Sequence, residues 1–117
     1  MKIKAAVVKE KSGPFRIEEV ELDEPREDEV LVRILSTGIC HTDLAARDGY
    51  LAIPPPPSVF GHEGAGVVEK MGKGVTKVKP GDHVVLGWDY CGACTACKAG
   101  KYLSCLNFFQ HNFHGAR

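Results

Sequence analysis

Four of the five cysteines fall within fifteen residues, in the run Cys91-x2-Cys94-x2-Cys97-x7-Cys105. This cluster constrains the fold more than any other feature. In a reducing compartment such a cluster holds a metal in preference to disulfides, and a fifth cysteine far upstream leaves the total odd. A bacterial ferredoxin run opens with the same two x2 gaps, but it closes with x3 and a following proline. Here the last gap is seven and Leu106 follows, so the spacing predicts a closed tetrahedral thiolate shell around a structural zinc. Gly92 and Gly100 supply turns for a lobe over residues 88–110, which carries little strand or helix periodicity.

Ahead of the lobe the chain reads as short strands punctuated by turn residues. Residues 3–9 alternate Ile3, Ala5 and Val7 with lysines and read as an edge-type strand. Ser12-Gly13-Pro14 is turn chemistry, and Phe15, Ile17 and Val20 make a second strand that closes a hairpin with the first. Val30–Leu35 is β-branched and partly alternating, and it leads to Gly38 and Cys40. Thr42 or Asp43 can cap a short helix over Leu44–Arg47, stopped at Gly49. Residues 50–60 contain four consecutive prolines and predict an extended loop. Two more strands, 64–70 and 83–86, are separated by glycine and proline turns. Five or six short strands with one helix predict a mainly β domain, a small and partly open barrel.

Charge excludes some functions. Fifteen basic and fifteen acidic residues cancel without a like-charged block, so neither nucleic acid nor an anionic membrane is an expected partner. No apolar run approaches the ~20 residues of a membrane span, and no signal peptide opens the chain; a cytoplasmic location is expected. At 117 residues the chain is a single domain able to bury about two thirds of its unfolded surface.

Gly61-His62-Glu63-Gly64-Ala65-Gly66 places an imidazole and a carboxylate among glycines. Such a turn can aim a histidine inward as a metal ligand with a carboxylate beside it. On local sequence alone, His62 can equally be a hydrogen-bonded core histidine, and Cys40 a buried free cysteine. The motifs Gly38-Ile39-Cys40-His41-Thr42-Asp43, Gly61–Gly66 with Gly72 and Val75, and the cysteine run together resemble the zinc-dependent medium-chain alcohol dehydrogenases. Within that family the resemblance is nearest to aryl-alcohol dehydrogenases of the benzyl-alcohol type.

The resemblance implies a GroES-like catalytic domain spanning residues 1–117, with a second, catalytic zinc held by Cys40 and His62 and Glu63 beside it. It also implies that Thr42 passes the substrate proton outward, that His41 touches the cofactor pyrophosphate, and that Asp43 orients the ligand histidine. Locally, Thr42 reads as readily as a helix cap and His41 as a solvated loop residue. Trp88 and Tyr50 fall in regions that line the family's substrate pocket, although ordinary core or loop aromatics fit them as well. Where the best-known members end the proton relay with a histidine, this chain has Ala45. The implied reaction is oxidation of a primary, possibly aromatic, alcohol to an aldehyde, with hydride passing to NAD(P).

Neither Gly64-x-Gly66 nor Gly72-x-Gly74 carries the third glycine or opens a helix, so no Rossmann fingerprint is present. The cofactor domain is therefore expected outside these residues, and the resemblance implies that the third catalytic zinc ligand, a cysteine, lies downstream of residue 117. The chain alone is expected to be inactive, with barrel edges that favour a homo-oligomer. Two alternatives share parts of the pattern: a stand-alone zinc-binding module without catalysis, and a polyol or threonine dehydrogenase of the same family.

Overall fold

The structure, a computed structural model, describes residues 1–51 and 55–113. Six strands form two three-stranded antiparallel sheets. In the first, β1 (Lys2–Val8) lies between β2 (Arg16–Glu21) and β4 (Ser58–Phe60). In the second, β5 (Gly64–Met71) lies between β3 (Val30–Thr37) and β6 (His83–Val85). Helix α1 (His41–Arg47) follows β3, and the cysteine lobe carries α2 (Thr95–Lys98), a 3₁₀ turn at Tyr102–Ser104 and α3 (Phe108–Asn112).

The mainly β architecture matches the expectation from the sequence, with three local differences. β1 is central, not an edge strand, because Ser58–Phe60 pairs along its second side. That pairing also corrects the reading of 50–60 as loop throughout: past Pro57 the backbone regains its N–H groups, and Val59 and Phe60 suit a ladder. Pro54, part of the same expectation, lies outside the described residues. The lobe, expected to be irregular, contains short helical turns too brief to leave a periodic pattern.

Among the described residues the core is small. Val8 and Val68, one from each sheet, are the largest fully buried side chains, with Val7, Cys97 and Cys105 also buried. The chain exposes 8344 Å², against about 6,200 Å² for a compact monomer of this mass. Ile39, Val85, Leu103 and Leu106 contribute to that surface.

The β3–β5 ladder contains two irregularities. Leu31 pairs with Lys70 and Val32 with Val68, leaving Glu69 as an extra residue on β5; Ile34 pairs with Gly66 and Ser36 with Ala65, leaving Leu35 extra on β3. Each is a bulge that bends its strand. The Arg33 guanidinium reaches Glu69 at 2.9 Å and anchors the first.

Candidate metal centres

The first centre is the lobe. The sulfurs of Cys91, Cys94, Cys97 and Cys105 all lie within 4.8 Å of one another. The backbone folds around them: the Cys94 N–H donates to Cys91 Sγ at 3.4 Å, Cys97 to Cys94 at 3.5 Å, and Cys91 to Cys105 at 3.4 Å. Such donors favour thiolates. Backbone N–H groups of Ala93 and Cys94, with the Asn107 side chain, bring Cys91 down to about 6. The backbone N–H groups of Leu106 and Cys97 lower Cys94. Burial opposes this at Cys97, which is pushed up to about 12. Four sulfurs drawn together, two of them favoured as thiolates and a third buried, make a donor set that fits zinc.

The second centre gathers Cys40, His62 and Glu63, whose ligating atoms also lie within 4.8 Å of one another. Cys40 occupies the N-cap position of α1 with extended φ/ψ. Its thiol lies 3.3 Å from the Thr42 hydroxyl. The cap differs from expectation, since Thr42 and Asp43 sit inside the first turn and no side chain caps α1. Gly49, with φ 77°, does terminate the helix.

His62 is aimed by Gly61, whose φ of 115° is strained for any residue with a Cβ. Gly38 is required for a different reason: a Cβ there would overlap the Glu63 side chain, and its N–H donates to the Glu63 carbonyl at 2.9 Å. The imidazole has an ordered environment. Asp43 Oδ1 lies 3.3 Å from Nδ1, and Glu63 Oε1 3.9 Å from Nε2. A proton held on Nδ1 toward Asp43 leaves the Nε2 lone pair free for a metal. A cysteine that can ligate as its thiolate, a neutral imidazole and a carboxylate at this spacing fit zinc, with room for a further ligand.

His62 and Thr42 border both a small cavity of about 70 Å³ and an open groove of about 510 Å³. Trp88, proposed from sequence, lines both, and its ring stacks on His62 at 5.0 Å and 24°. Tyr50 is not brought to this place: it is 83% exposed and outside the lining of both. His41 is exposed at the start of α1.

Other contributors went unread in the sequence. Phe60, Asn112 and Phe113 line the small cavity, and Phe108 and Phe113 flank Trp88 at 5.5 and 5.6 Å. Phe108, Phe109 and Phe113, three aromatics just beyond the last cysteine, were the available signal.

The family described as alcohol dehydrogenase GroES-like domain matches residues 26–116. This chain belongs to that family. It is 47% identical over 113 residues to a geraniol dehydrogenase of Castellaniella defragrans, covering 97% of this chain and 30% of that protein. It is 54% identical over 106 residues to an NDMA-dependent alcohol dehydrogenase of Amycolatopsis methanolica, covering 90% of this chain and 28% of the relative. Benzyl alcohol dehydrogenase from Acinetobacter calcoaceticus superposes with a TM-score of 0.94 at 45% identity, covering all of this chain and 32% of that one. The chain thus spans about 30% of the length of the curated relatives it matches. The GroES-like domain and its resemblance to the alcohol dehydrogenases, expected from Cys40–Asp43, Gly61–Gly66 and the cysteine run, are borne out. No described helix is long and apolar enough to cross a membrane.

Proposed function

We propose that this GroES-like domain is the metal-holding, substrate-facing part of a zinc- and nicotinamide-dependent alcohol dehydrogenase acting on primary alcohols with an unsaturated or aromatic carbon next to the carbinol. The observation that carries the reading is the convergence of Cys40, His62 and Glu63 beside the Thr42 hydroxyl and an aromatic-walled cavity. Zinc at this centre supplies Lewis acidity, which makes an alcohol proton easier to remove. Cys40 and His62 hold it, and Asp43 keeps the imidazole in the ligating tautomer. Thr42 can accept the proton at Oγ1 while donating its own, as a relay requires. Because position 45 is alanine, the outward path passes Thr42 to water or a cofactor hydroxyl. Trp88, Phe113 and Phe60 exclude water and favour a flat substrate, which agrees with the geraniol and benzyl alcohol named for two relatives. The exposed His41 would meet the pyrophosphate of NAD(P), whereas Tyr50, outside both cavities, is given no part in the pocket.

In this reading residues outside 1–117 complete the metal shell and hold the nicotinamide. The domain alone leaves hydride without an acceptor at the ~3–3.5 Å that reaction requires. Its exposed apolar surface suits a covering domain and a homo-oligomer in the cytoplasm. The test follows NADH absorbance with benzyl alcohol and ethanol, using this chain and the same sequence extended to the length of its relatives. Turnover only by the longer protein, with a preference for benzyl alcohol and a sharp loss in Thr42→Val at unchanged zinc content, is expected. Inactivity of the longer protein on every alcohol would favour a zinc-binding module without catalysis.

A further inference from the structure

Helix α3 buries none of its residues, yet it supplies the aromatic wall beside His62. Two of its side chains reach Asp89: His111 meets the exposed carboxylate at 2.8 Å, and Asn112 holds the backbone. The Asn112 amide accepts from the Asp89 N–H at 2.8 Å and donates to the Asp89 carbonyl at 2.9 Å, pairing with that residue as a neighbouring strand would. Its second N–H donates to the Phe108 carbonyl at 2.9 Å and ties the two ends of α3 together. Asp89 directly follows Trp88. Fastening its backbone therefore sets where the indole sits, and Phe108 and Phe113 close on the indole from the helix side.

The imidazole needs this support. Asp43 and Glu63 meet the His62 ring at its two nitrogens, at 3.3 and 3.9 Å, but contacts at the ring's edges leave its plane free to turn about the line between them. The Trp88 face, 5.0 Å away and nearly parallel, removes that freedom. We propose that Asn112 is a positioning residue: by fastening α3 to Asp89 it holds Trp88 against His62 and so fixes the plane of the metal-ligating imidazole. The inference rests on the reading of Cys40 and His62 as metal ligands.

Trp88 is the sole tryptophan in the chain, so its emission reports the stack directly. The experiment saturates the four-cysteine site with zinc, then titrates cobalt(II) into the chain and follows the thiolate-to-cobalt absorption together with Trp88 emission. Asn112→Ala should shift the emission to the red and weaken cobalt binding about tenfold, in the range that contacts supporting a ligand contribute. Zinc retention in the lobe should not change. His111→Gln removes the exposed contact of His111 with Asp89 at 2.8 Å and should leave both signals at wild-type values, as exposed ion pairs contribute little. Should Asn112→Ala fail to fold, Asn112→Asp keeps the acceptor, loses both donors and should move both signals the same way. Cobalt binding unchanged in the Asn112 variants, whether or not the emission moves, overturns the positioning role alone. A wild-type protein that takes up no second metal, neither as this chain nor extended to the length of its relatives, overturns the metal reading of Cys40 and His62, and this inference with it.

Discussion

Truncating Val68 to alanine tests whether the two sheets share the small core described above. Val68 is 1% exposed in β5, and its backbone is held by Asp82 and Gly81 at 3.0 and 2.9 Å, so the strand cannot easily move to refill a void. Removing two methyl groups forfeits about 1.6 kcal/mol of transfer free energy at ~0.8 kcal/mol per carbon. A residual void of roughly 40 Å³ adds about 1 kcal/mol. The total, about 2.5 kcal/mol, is large for a core with two large fully buried side chains among the described residues. At an unfolding entropy of ~2.1 cal/mol/K per residue, the zinc-loaded chain of 117 residues should melt about 10 °C lower. Circular dichroism melts at fixed zinc concentration measure this. Val85→Ala is the control, because Val85 is 82% exposed and its truncation should shift the midpoint by no more than about 2 °C. Equal shifts for the two variants would mean that Val68 is not packed as described, and the shared core would have to be abandoned.

The purified chain should hold one zinc in its lobe, and Cys97→Ser, at the buried sulfur, should release it and loosen residues 88–110 first; metal analysis that finds iron instead would refute the assignment. Gly61→Ala forces a side chain onto φ 115° and should weaken cobalt binding at Cys40 and His62 while the lobe keeps its zinc. The Arg47 guanidinium, at 2.8 Å, holds the Asp48 carboxyl below its ordinary value of 3.8. A depressed carboxylate stabilises the fold above its unfolded pKa and loses that contribution as pH falls through the folded one. Melting of Arg47→Gln should therefore lie below wild type at pH 6, and the gap should narrow below pH 4. A gap that widens in acid would reverse the assigned sign.

What could be read from the chain beforehand followed from how local each signal is. The cysteine run, Gly61–Gly66 and the strands at Val30 and Gly64 declare themselves through spacing and β-branching within a few residues. Cys40 and His62 are 22 positions apart, and the pairing of Thr37 with Gly64, with the Gly38 N–H on the Glu63 carbonyl, brings them together. β1 could not be recognised as central because its second partner, Ser58–Phe60, hides behind a run of prolines. Asn112 gave no signal, since its role depends on the backbone of Asp89, and no periodicity encodes a side-chain amide standing in for a strand.

The two extra residues in the β3–β5 ladder offset one another. Register slips by one at Glu69 and returns at Leu35, so Thr37 faces Gly64 in the same alignment in which Val30 faces Met71. Each extra residue faces no partner, so deleting Leu35 would let Ser36 follow Ile34 against Ala65 and Gly66, and deleting Glu69 would let Lys70 follow Val68 against Leu31 and Val32. Either deletion keeps the pairing at both ends and straightens the ladder at one bend. A residue lost between the bulges has no such escape, because it must shift one end of the ladder or open a new irregularity. These strands can therefore shorten at the bulges themselves, where the cost is curvature and not alignment.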